Sequence, residues 1–299
     1  MKIMIFGASG YIAGFVARQL ASLGHSLVLV ARHVPDAAKS TPESSWVECA
    51  HTEQVRQLIS DVRPDVVLNM ANYYAKSESP SDVVKFAEVN SALVTELAFG
   101  CCESGAALFH VGSAWQATSF QEDDPSLGSV YALHKGLAVK IIEWFQASHQ
   151  LDALILNLYD TYGPEDPRGK IVQFLINQVG ATEPLELSGG EQILELVHVQ
   201  DVAGAVAAGV EFIADSLAKT GRLDATIPFW CYPECATTLR ELVAAIDENA
   251  AKPISVRWGA RPYRVGEKFD REIAGKPLIP GWKQEISLRD GIKQLLATA

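Results

Sequence analysis

The sequence predicts an α/β protein: a doubly wound parallel sheet of the Rossmann type, followed by a smaller C-terminal α/β domain. Two observations support this fold class. Short apolar stretches alternate with longer amphipathic ones through residues 2–158, which is typical of parallel strands connected by helices. A glycine-rich segment also follows the first apolar stretch directly, at the point where such a fold carries its nucleotide-binding turn.

The N-terminal segments appear in the order that dinucleotide binding requires. Residues 2–6 predict a buried strand, 7–14 a glycine-rich turn, 15–23 a helix and 26–31 a second strand. The glycines let the backbone approach a pyrophosphate, and the helix N-terminus offers N–H groups and the positive end of its dipole. A glycine-rich loop without a ligand is the alternative interpretation of this turn.

The alternation continues along the chain. Further strands are predicted at residues 65–71, 106–111 and 151–158, with helices at 82–102 and 129–148. In a parallel sheet the carboxyl ends of the strands form one edge, where ligands bind. Gly7, Ala71, Ser113 and Tyr159 fall at these ends, so we expect them to face one crevice. Residues 194–213 predict a strand and helix that return to the same sheet.

Length and composition narrow the possibilities. The 299 residues, 48% of them apolar, suit one large unit or two modest domains; we expect 1–164 plus 194–221 as the nucleotide-binding domain and 165–193 plus 222–299 as the second. The net charge of −11 argues against nucleic acid or an anionic membrane as partner. Because the sequence shows no long apolar span, no signal peptide and no paired cysteine spacing, we expect a cytoplasmic protein without a metal site or membrane partner.

Tyr131 and Lys135 lie four residues apart on a predicted helix and therefore share a face. A tyrosine with a pKa near ~10 is a poor acid at neutral pH. A lysine charge at ~4 Å contributes about 4 kcal/mol at an effective dielectric of ~20, before discounting for solvent, and lowers that pKa towards useful proton exchange with a carbonyl oxygen. Any amphipathic helix can show this spacing, so its significance comes from Ser113 and the glycine-rich turn.

The end of the second strand predicts the cofactor. NAD-binding folds of this type commonly carry an acidic residue there for the ribose hydroxyls, whereas this chain has Ala31, followed by Arg32 and His33. No carboxylate at that position would repel a 2′-phosphate, and Arg32 can pair with it through two N–H groups. We therefore predict NADP(H), with a solvated strand end as the alternative for Arg32.

Together these motifs resemble the extended short-chain dehydrogenases/reductases of the NAD-dependent epimerase/dehydratase family. The glycine segment resembles that of the family with Ala13 in place of the third glycine, and Asn90, Ser113, Tyr131 and Lys135 match its other motifs. Further similar segments are 162–164 and 197–202; segments 158–168, 189–192 and 258–267 resemble nucleotide-diphosphate 4-keto-6-deoxyhexose 4-ketoreductases of the CDP-abequose synthase type. The resemblance implies that the smaller C-terminal domain binds the substrate.

The resemblance also implies roles for individual residues. Tyr131 would be the proton donor, Ser113 the hydrogen-bond partner of the substrate oxygen, Lys135 the residue that holds the nicotinamide ribose, and Asn90 a support for the active-site helix. The implied cofactor-binding set is Gly7, Ser9, Gly10, Tyr11, Ile12, Arg32, Ala71, Asn90, Tyr131, Lys135 and Tyr159. The implied substrate-binding set is Ser113, Asp160, Arg168 and Arg264, with Arg264 where the family often binds the diphosphate.

The chain departs from the family pattern in two places. Leu194 and Glu195 stand where a second diphosphate-binding arginine is often found, and the acidic residue that often touches adenine is missing around 49–51. These departures leave the nucleotide contacts open. Residues 252–276 nevertheless contain seven Lys/Arg against three Asp/Glu, a local positive charge that suits an anionic substrate.

The residues after Ser113 select among the family's reactions. Dehydratases carry an acid–base pair there, typically Asp-Glu, whereas this chain has Ala114 and Trp115. We therefore expect NADPH-dependent reduction of a 4-keto-6-deoxyhexose for deoxysugar biosynthesis. Epimerisation, reduction of a non-nucleotide carbonyl compound, and non-catalytic NADP(H) binding remain open alternatives. Helices 82–102 and 129–148 are expected to form a homodimer interface, as in related enzymes.

Overall fold

The computed structural model describes residues 1–34, 45–75, 79–118, 129–223, 227–264, 266–270 and 275–298. The strands are β1 (Lys2–Phe6), β2 (Ser26–Ala31), β3 (Ser45–Glu48), β4 (Val66–Asn69), β5 (Ala107–Ser113), β6 (Ala153–Leu158), β7 (Asp160–Tyr162), β8 (Leu185–Glu186), β9 (Ile193–Leu194), β10 (Leu196–His198), β11 (Phe229–Cys231), β12 (Thr237–Thr238) and β13 (Val256–Arg257). The helices are α1 (Tyr11–Ser22), α2 (Val55–Val62), α3 (Pro80–Ala87), α4 (Leu93–Ser104), α5 (Val130–His149), α6 (Ile171–Ile176), α7 (Val199–Thr220), α8 (Leu239–Asp247) and α9 (Leu288–Thr298).

The described residues form a main sheet of seven strands in the order β11-β6-β5-β4-β1-β2-β3. The pairs from β6 across to β3 are parallel. From β1 the chain first builds outward through β2 and β3, and then outward on the other side through β4, β5 and β6. This reversal is the switch point of a doubly wound sheet, where a ligand crevice opens between the carboxyl ends of β1 and β4. The predicted fold class is confirmed.

Continuous apolar runs account for the central strands. All four residues of β4 and all six of β6 are buried, as expected for strands with both faces covered. One core cluster includes Met4 of β1, Leu108 of β5, Leu97 of α4, and Ile142 and Phe145 of α5. Thus α4 and α5 pack on the sheet, and α5 is held rigidly over the end of β5.

The long helix expected at 82–102 is interrupted. Helix α3 is capped by Ser79, whose Oγ accepts the Asp82 N–H (3.3 Å), and has Pro80 in its first turn. A π-helical turn, Glu88–Ala92, separates α3 from α4. The consecutive residues Asn90 and Ser91 in this π-helical turn are both buried. Such turns are often found at functional sites.

The chain forms two compact units. The first contains Met1–Leu158, Ala203–Trp230 and Pro277–Trp282; the second contains Tyr159–Val202, Cys231–Lys276 and Lys283–Ala299. These boundaries differ from those predicted, because residues 159–164 and 194–202 belong to the second unit, whereas 222–230 and 277–282 belong to the first.

Strand β10 explains part of this difference. It was expected to return to the main sheet, but it pairs instead with β7 in a small parallel sheet. The reason lies in side-chain packing within the second unit: the buried rings of Tyr162 and His198 meet edge to face, with centroids 5.3 Å apart. Only the helix that follows, α7, enters the first unit, at Ala203. In the described part of the chain, no helix combines the length and apolarity needed to cross a membrane.

Candidate active site

The glycine-rich turn occupies the switch point of the sheet. Gly7 has a φ of +78°, and a Cβ on it would lie 2.5 Å from the Ala71 nitrogen, so a side chain cannot be accommodated where β1 ends beside β4. The Gly10 N–H donates to the Gly7 carbonyl (3.0 Å) and closes the turn. Gly10 then caps α1 without a side-chain hydrogen bond. Because no side chain stands at Gly7 or Gly10, the turn can receive a pyrophosphate at the start of α1.

The other residues expected around the pyrophosphate follow directly from this turn. Ser9 is exposed, and Tyr11 and Ile12 are partly buried at the start of α1. Ala13, which replaces the family's third glycine, is buried under the helix. Its methyl group lies on the inner side of α1, 4.0 Å from where a Cβ on Gly10 would stand.

Asn69 fixes the backbone at Ala71. Its Oδ1 accepts the Ala71 N–H (3.1 Å), while its Nδ2 lies 3.1 Å from Nδ1 of His110 on β5. Both side chains are almost completely buried. Sequence reasoning missed this pair, although a lone asparagine at the end of the apolar stretch 66–69 is a usable signal.

Lys135 links α5 to β5. Its side chain is buried, and its Nζ donates to the carbonyl oxygen of Val111 (2.8 Å). Burial lowers the pKa of Lys135 to about 8, so the ammonium still predominates at neutral pH. Burial, followed by the Lys135 charge, holds the pKa of His110 well below its ordinary value, so His110 is neutral. A fixed positive charge therefore lies where β5 approaches its end.

Ser113 is the last residue of β5. It is buried, its Oγ accepts the Trp115 N–H (3.3 Å), and its own N–H donates to Oε1 of Gln116 (3.3 Å). The Lys135 bond to Val111 attaches α5 only two residues before Ser113. This attachment brings the strand that carries the serine alongside the helix that carries Tyr131.

Tyr131 lies in the first turn of α5. Ser129 caps this helix, because its Oγ accepts the Ala132 N–H (3.2 Å). Negative charge near a helix N-terminus is stabilised by the helix dipole, which favours proton release from the phenol. The Tyr131 ring contacts Tyr74 edge to face at 5.3 Å and Phe86 at 6.4 Å. The sequence analysis did not predict these ring contacts, because Tyr74, Phe86 and Tyr131 are far apart along the chain.

Asn90 has a defined structural task. Its Oδ1 accepts the Tyr73 N–H and its Nδ2 donates to the Tyr73 carbonyl, both at 2.9 Å. These two bonds hold the loop that follows β4. The place of Asn90 in the cofactor-binding set stays a prediction.

Arg32 is exposed at the end of β2. A hydrogen bond to Asp82 (2.6 Å) raises the pKa of the Tyr73 hydroxyl, and the nearby Arg32 charge opposes that shift.

The register of β2 and β3 pairs Ala31 with Glu48. Since no strand was predicted at 45–48, sequence reasoning missed a carboxylate residue beside the end of β2.

Four predicted site residues belong to the second unit. Tyr159 accepts a hydrogen bond from Lys276 Nζ (3.0 Å), and Asp160 forms an ion pair with Lys170 (2.8 Å). The Arg168 guanidinium pairs with Asp166 and donates to the Thr161 carbonyl. Arg264 is exposed on its loop. Arg168 thus shapes its own loop, whereas the Arg264 side chain faces solvent.

A comparison with known families decides the relationship. The sequence matches the NAD dependent epimerase/dehydratase family over residues 3–218. The chain belongs to this family. As a family member with relatives named as reductases, it is an NAD(P)-dependent oxidoreductase.

Several relatives cover nearly the whole of this epimerase/dehydratase family member. A CDP-abequose synthase of Yersinia pseudotuberculosis is 25% identical over 89% of this chain and 90% of its own. A dTDP-4-dehydrorhamnose reductase of Burkholderia thailandensis is 29% identical over 98% of this chain and all of its own. A solved UDP-glucose-4-epimerase from Stenotrophomonas maltophila, with bound NAD, has the same fold: TM-score 0.79, 18% identity, with 99% and 97% of the two chains covered.

Replacing Gly7 by alanine is expected to weaken binding of the NAD(P)(H) cofactor roughly tenfold or more, because the methyl group would collide with the Ala71 backbone. Gly24 provides a matched control: its φ is +82°, but no atom lies within 4 Å of a Cβ built on it. Gly24→Ala should cost only the conformational strain, about 1–2 kcal/mol. Calorimetric titration of both variants with NADPH, after circular dichroism has confirmed folding, measures the difference. Equal affinities for the two variants would contradict a pyrophosphate at this turn.

Proposed function

We propose that the protein reduces the 4-keto group of a nucleotide-diphosphate 4-keto-6-deoxyhexose to the 4-hydroxy sugar, with NADPH, in deoxysugar biosynthesis. The observation that carries the proposal is the attachment of α5, with Tyr131 and Lys135, to the end of β5 beside Ser113. Relatives named CDP-abequose synthase and dTDP-4-dehydrorhamnose reductase support the substrate class.

The side chains of the first unit suit the protein's part of this reaction. A bound nicotinamide supplies the hydride that reduces the carbonyl carbon. Tyr131 donates its phenolic proton to the carbonyl oxygen, and the Ser113 hydroxyl donates a hydrogen bond to the same oxygen. The Lys135 ammonium, held on the Val111 carbonyl, stabilises the tyrosinate left behind. The helix N-terminus contributes in the same direction.

One feature of the first unit argues against dehydration. The turn after β5 begins with Ala114, which is buried, and Trp115, which is half exposed; neither carries the acid or base that dehydration requires. For the second candidate, a 4-epimerase that retains NAD⁺, the favouring observation is Glu48, since a carboxylate beside the end of β2 suits an unphosphorylated ribose. A non-nucleotide carbonyl substrate remains the third candidate.

A panel of CDP-, dTDP-, GDP- and UDP-linked 4-keto-6-deoxyhexoses, each incubated with NADPH, tests the reaction. We expect oxidation of NADPH matched by formation of the 4-hydroxy sugar, and a loss of roughly 100-fold or more in kcat for Tyr131→Phe. The free sugar without its nucleotide is the control and should be a poor substrate. Sugar interconversion without net NADPH oxidation would indicate an epimerase, and full activity of Tyr131→Phe would exclude Tyr131 as the proton donor.

Cofactor choice can be tested at the ends of β2 and β3. We propose that Arg32 binds the 2′-phosphate, so Arg32→Ala should raise the KM for NADPH about tenfold or more and leave that for NADH unchanged. Glu48→Gln is the matched variant on the neighbouring strand and should not weaken NADPH binding. A wild-type preference for NADH, lost in Glu48→Gln, would instead assign NAD to the site.

We propose a homodimer formed through α4 and α5. A groove of about 310 Å³ runs between them, and Phe99, Leu137, Ile141 and Trp144 are among its lining residues. Trp144 and Leu137 are 55% and 41% exposed, which is unusual for large apolar side chains on one helix of a monomer. We also propose that the enzyme works in the cytoplasm, since all five cysteines are free thiols, as is usual in that compartment.

Trp144→Glu should convert the dimer to a monomer, because the substitution buries an unpaired carboxylate in the interface. Leu23, 51% exposed at the end of α1, offers a control: Leu23→Glu adds the same charge outside the groove and should leave the dimer intact. Sedimentation equilibrium across a range of concentrations distinguishes the two states. A wild-type protein that stays monomeric at every concentration would remove the proposal.

A further inference from the structure

We propose that His134 and Ser91 form a positioning pair that fixes the orientation of the Tyr131 ring. The inference rests on the proposed function, because it takes Tyr131 to be the proton donor. It concerns residues that touch Tyr131 only through an intervening ring. It also assigns a function to the π-helical turn between α3 and α4, which carries Ser91.

The π-helical turn attaches two parts of the first unit at once. Ser91 Oγ and His134 Nδ1 are hydrogen-bonded (2.8 Å), which connects this turn to α5. The preceding residue, Asn90, holds the backbone of Tyr73 through its two amide bonds. In a regular helix, neighbouring residues differ in direction by about 100°, and the π turn alters this angle locally. Asn90 and Ser91, neighbours in this turn, are both buried.

Phe86 transmits this attachment to Tyr131. Its ring is fully buried and stacks on the His134 imidazole, with centroids 6.2 Å apart and an interplanar angle of 12°. Phe86 also contacts Tyr131 (centroids 6.4 Å apart, 56° between the ring planes) and Tyr73 (5.2 Å, 71°). Phe86 is therefore confined between the ring fixed by Ser91 and the loop fixed by Asn90.

These contacts define one side of the Tyr131 ring, and Tyr74 meets it edge to face at 5.3 Å. Aromatic pairs at these separations contribute about 0.5–1.5 kcal/mol each beyond area burial. Rotation of the His134 imidazole would remove the stacking surface of Phe86 and widen the space available to Tyr131. A proton donor that is displaced by about 1 Å can lose roughly 100-fold in rate. Burial also lowers the pKa of His134, which keeps the imidazole neutral against Phe86.

Two substitutions remove the same hydrogen bond from opposite sides. Ser91→Ala deletes the hydroxyl, and His134→Phe deletes Nδ1 but keeps an aromatic ring against Phe86. Each should lower kcat about tenfold or more while the KM values for NADPH and the keto sugar stay the same. Because both variants break one interaction, the double variant should be no slower than the slower single variant.

Ser104 and His149 are matched controls at the far ends of the same two helices. Ser104 Oγ donates to the Gly100 carbonyl, and His149 is exposed; Ser104→Ala and His149→Ala should keep the wild-type kcat. Rates are expressed per NADPH-binding site, so that misfolded protein does not count. Wild-type kcat in both Ser91→Ala and His134→Phe, fully additive losses, or losses confined to KM would each overturn the proposal. If Tyr131→Phe itself is fully active, the proposed function fails first, and that result is recognisable without these variants.

Discussion

The ammonium of Lys135 is buried between α5 and the end of β5, where it donates to the Val111 carbonyl. Burying a charge without an opposite charge beside it costs free energy, and the lowered pKa of this lysine reports that cost. The packing of α5 on the sheet has to offset this free-energy cost. In return, the position of α5 along β5 is fixed, and with it the relation between Ser113 and the first turn of the helix. The glycine-rich turn, the rings around Tyr131 and the N-terminus of α5 can act on one substrate only if this relation holds.

A second constraint acts at the carboxyl ends of the paired strands β1 and β4. The Ala71 backbone leaves no room for a side chain at position 7, and the Asn69 Oδ1 accepts a hydrogen bond from the Ala71 N–H. His110 continues this support into β5 and lies within the electrostatic influence of Lys135. Buried hydrogen bonds thus connect the Ala71 backbone, beside the glycine-rich turn, to His110 across the adjacent strands β4 and β5.

The sequence could predict much of this, but only where a local pattern carries the information. Apolar runs and the glycine turn suffice for β1, β2, β4, β5 and β6, and the Tyr131–Lys135 spacing suffices for α5. The π turn was not predictable, because residues 82–102 keep a helical pattern throughout and one widened turn does not break it. Asn69 and His110 were missed for a related reason, since single polar residues in a buried strand have no periodicity.

Residues whose environment depends on distant parts of the chain were the hardest to place. Strand β10 has the composition of a buried sheet strand, and only its packing through His198 on Tyr162 shows that it pairs with β7. Arg168 bonds to Asp166 and to the Thr161 carbonyl, contacts that its sequence neighbourhood did not indicate, and its place in the substrate-binding set stays a prediction. The position of Glu48 beside the end of β2 follows only from the register of β3 with β2. In each case the deciding contact joins segments that local sequence patterns treat separately.

Helix α5 performs two tasks with a single rigid body. Its inner face presents Lys135 to β5, while its outer face exposes Leu137 and Trp144 only a few residues later. At 20 residues the helix is about 30 Å long and contacts α3, the π-helical turn and α4. A shift of the outer face would therefore be felt at Tyr131 in the first turn. In the homodimer proposed above, a change on the outer surface of α5 that moved the helix axis would alter assembly and the chemistry at Tyr131 together.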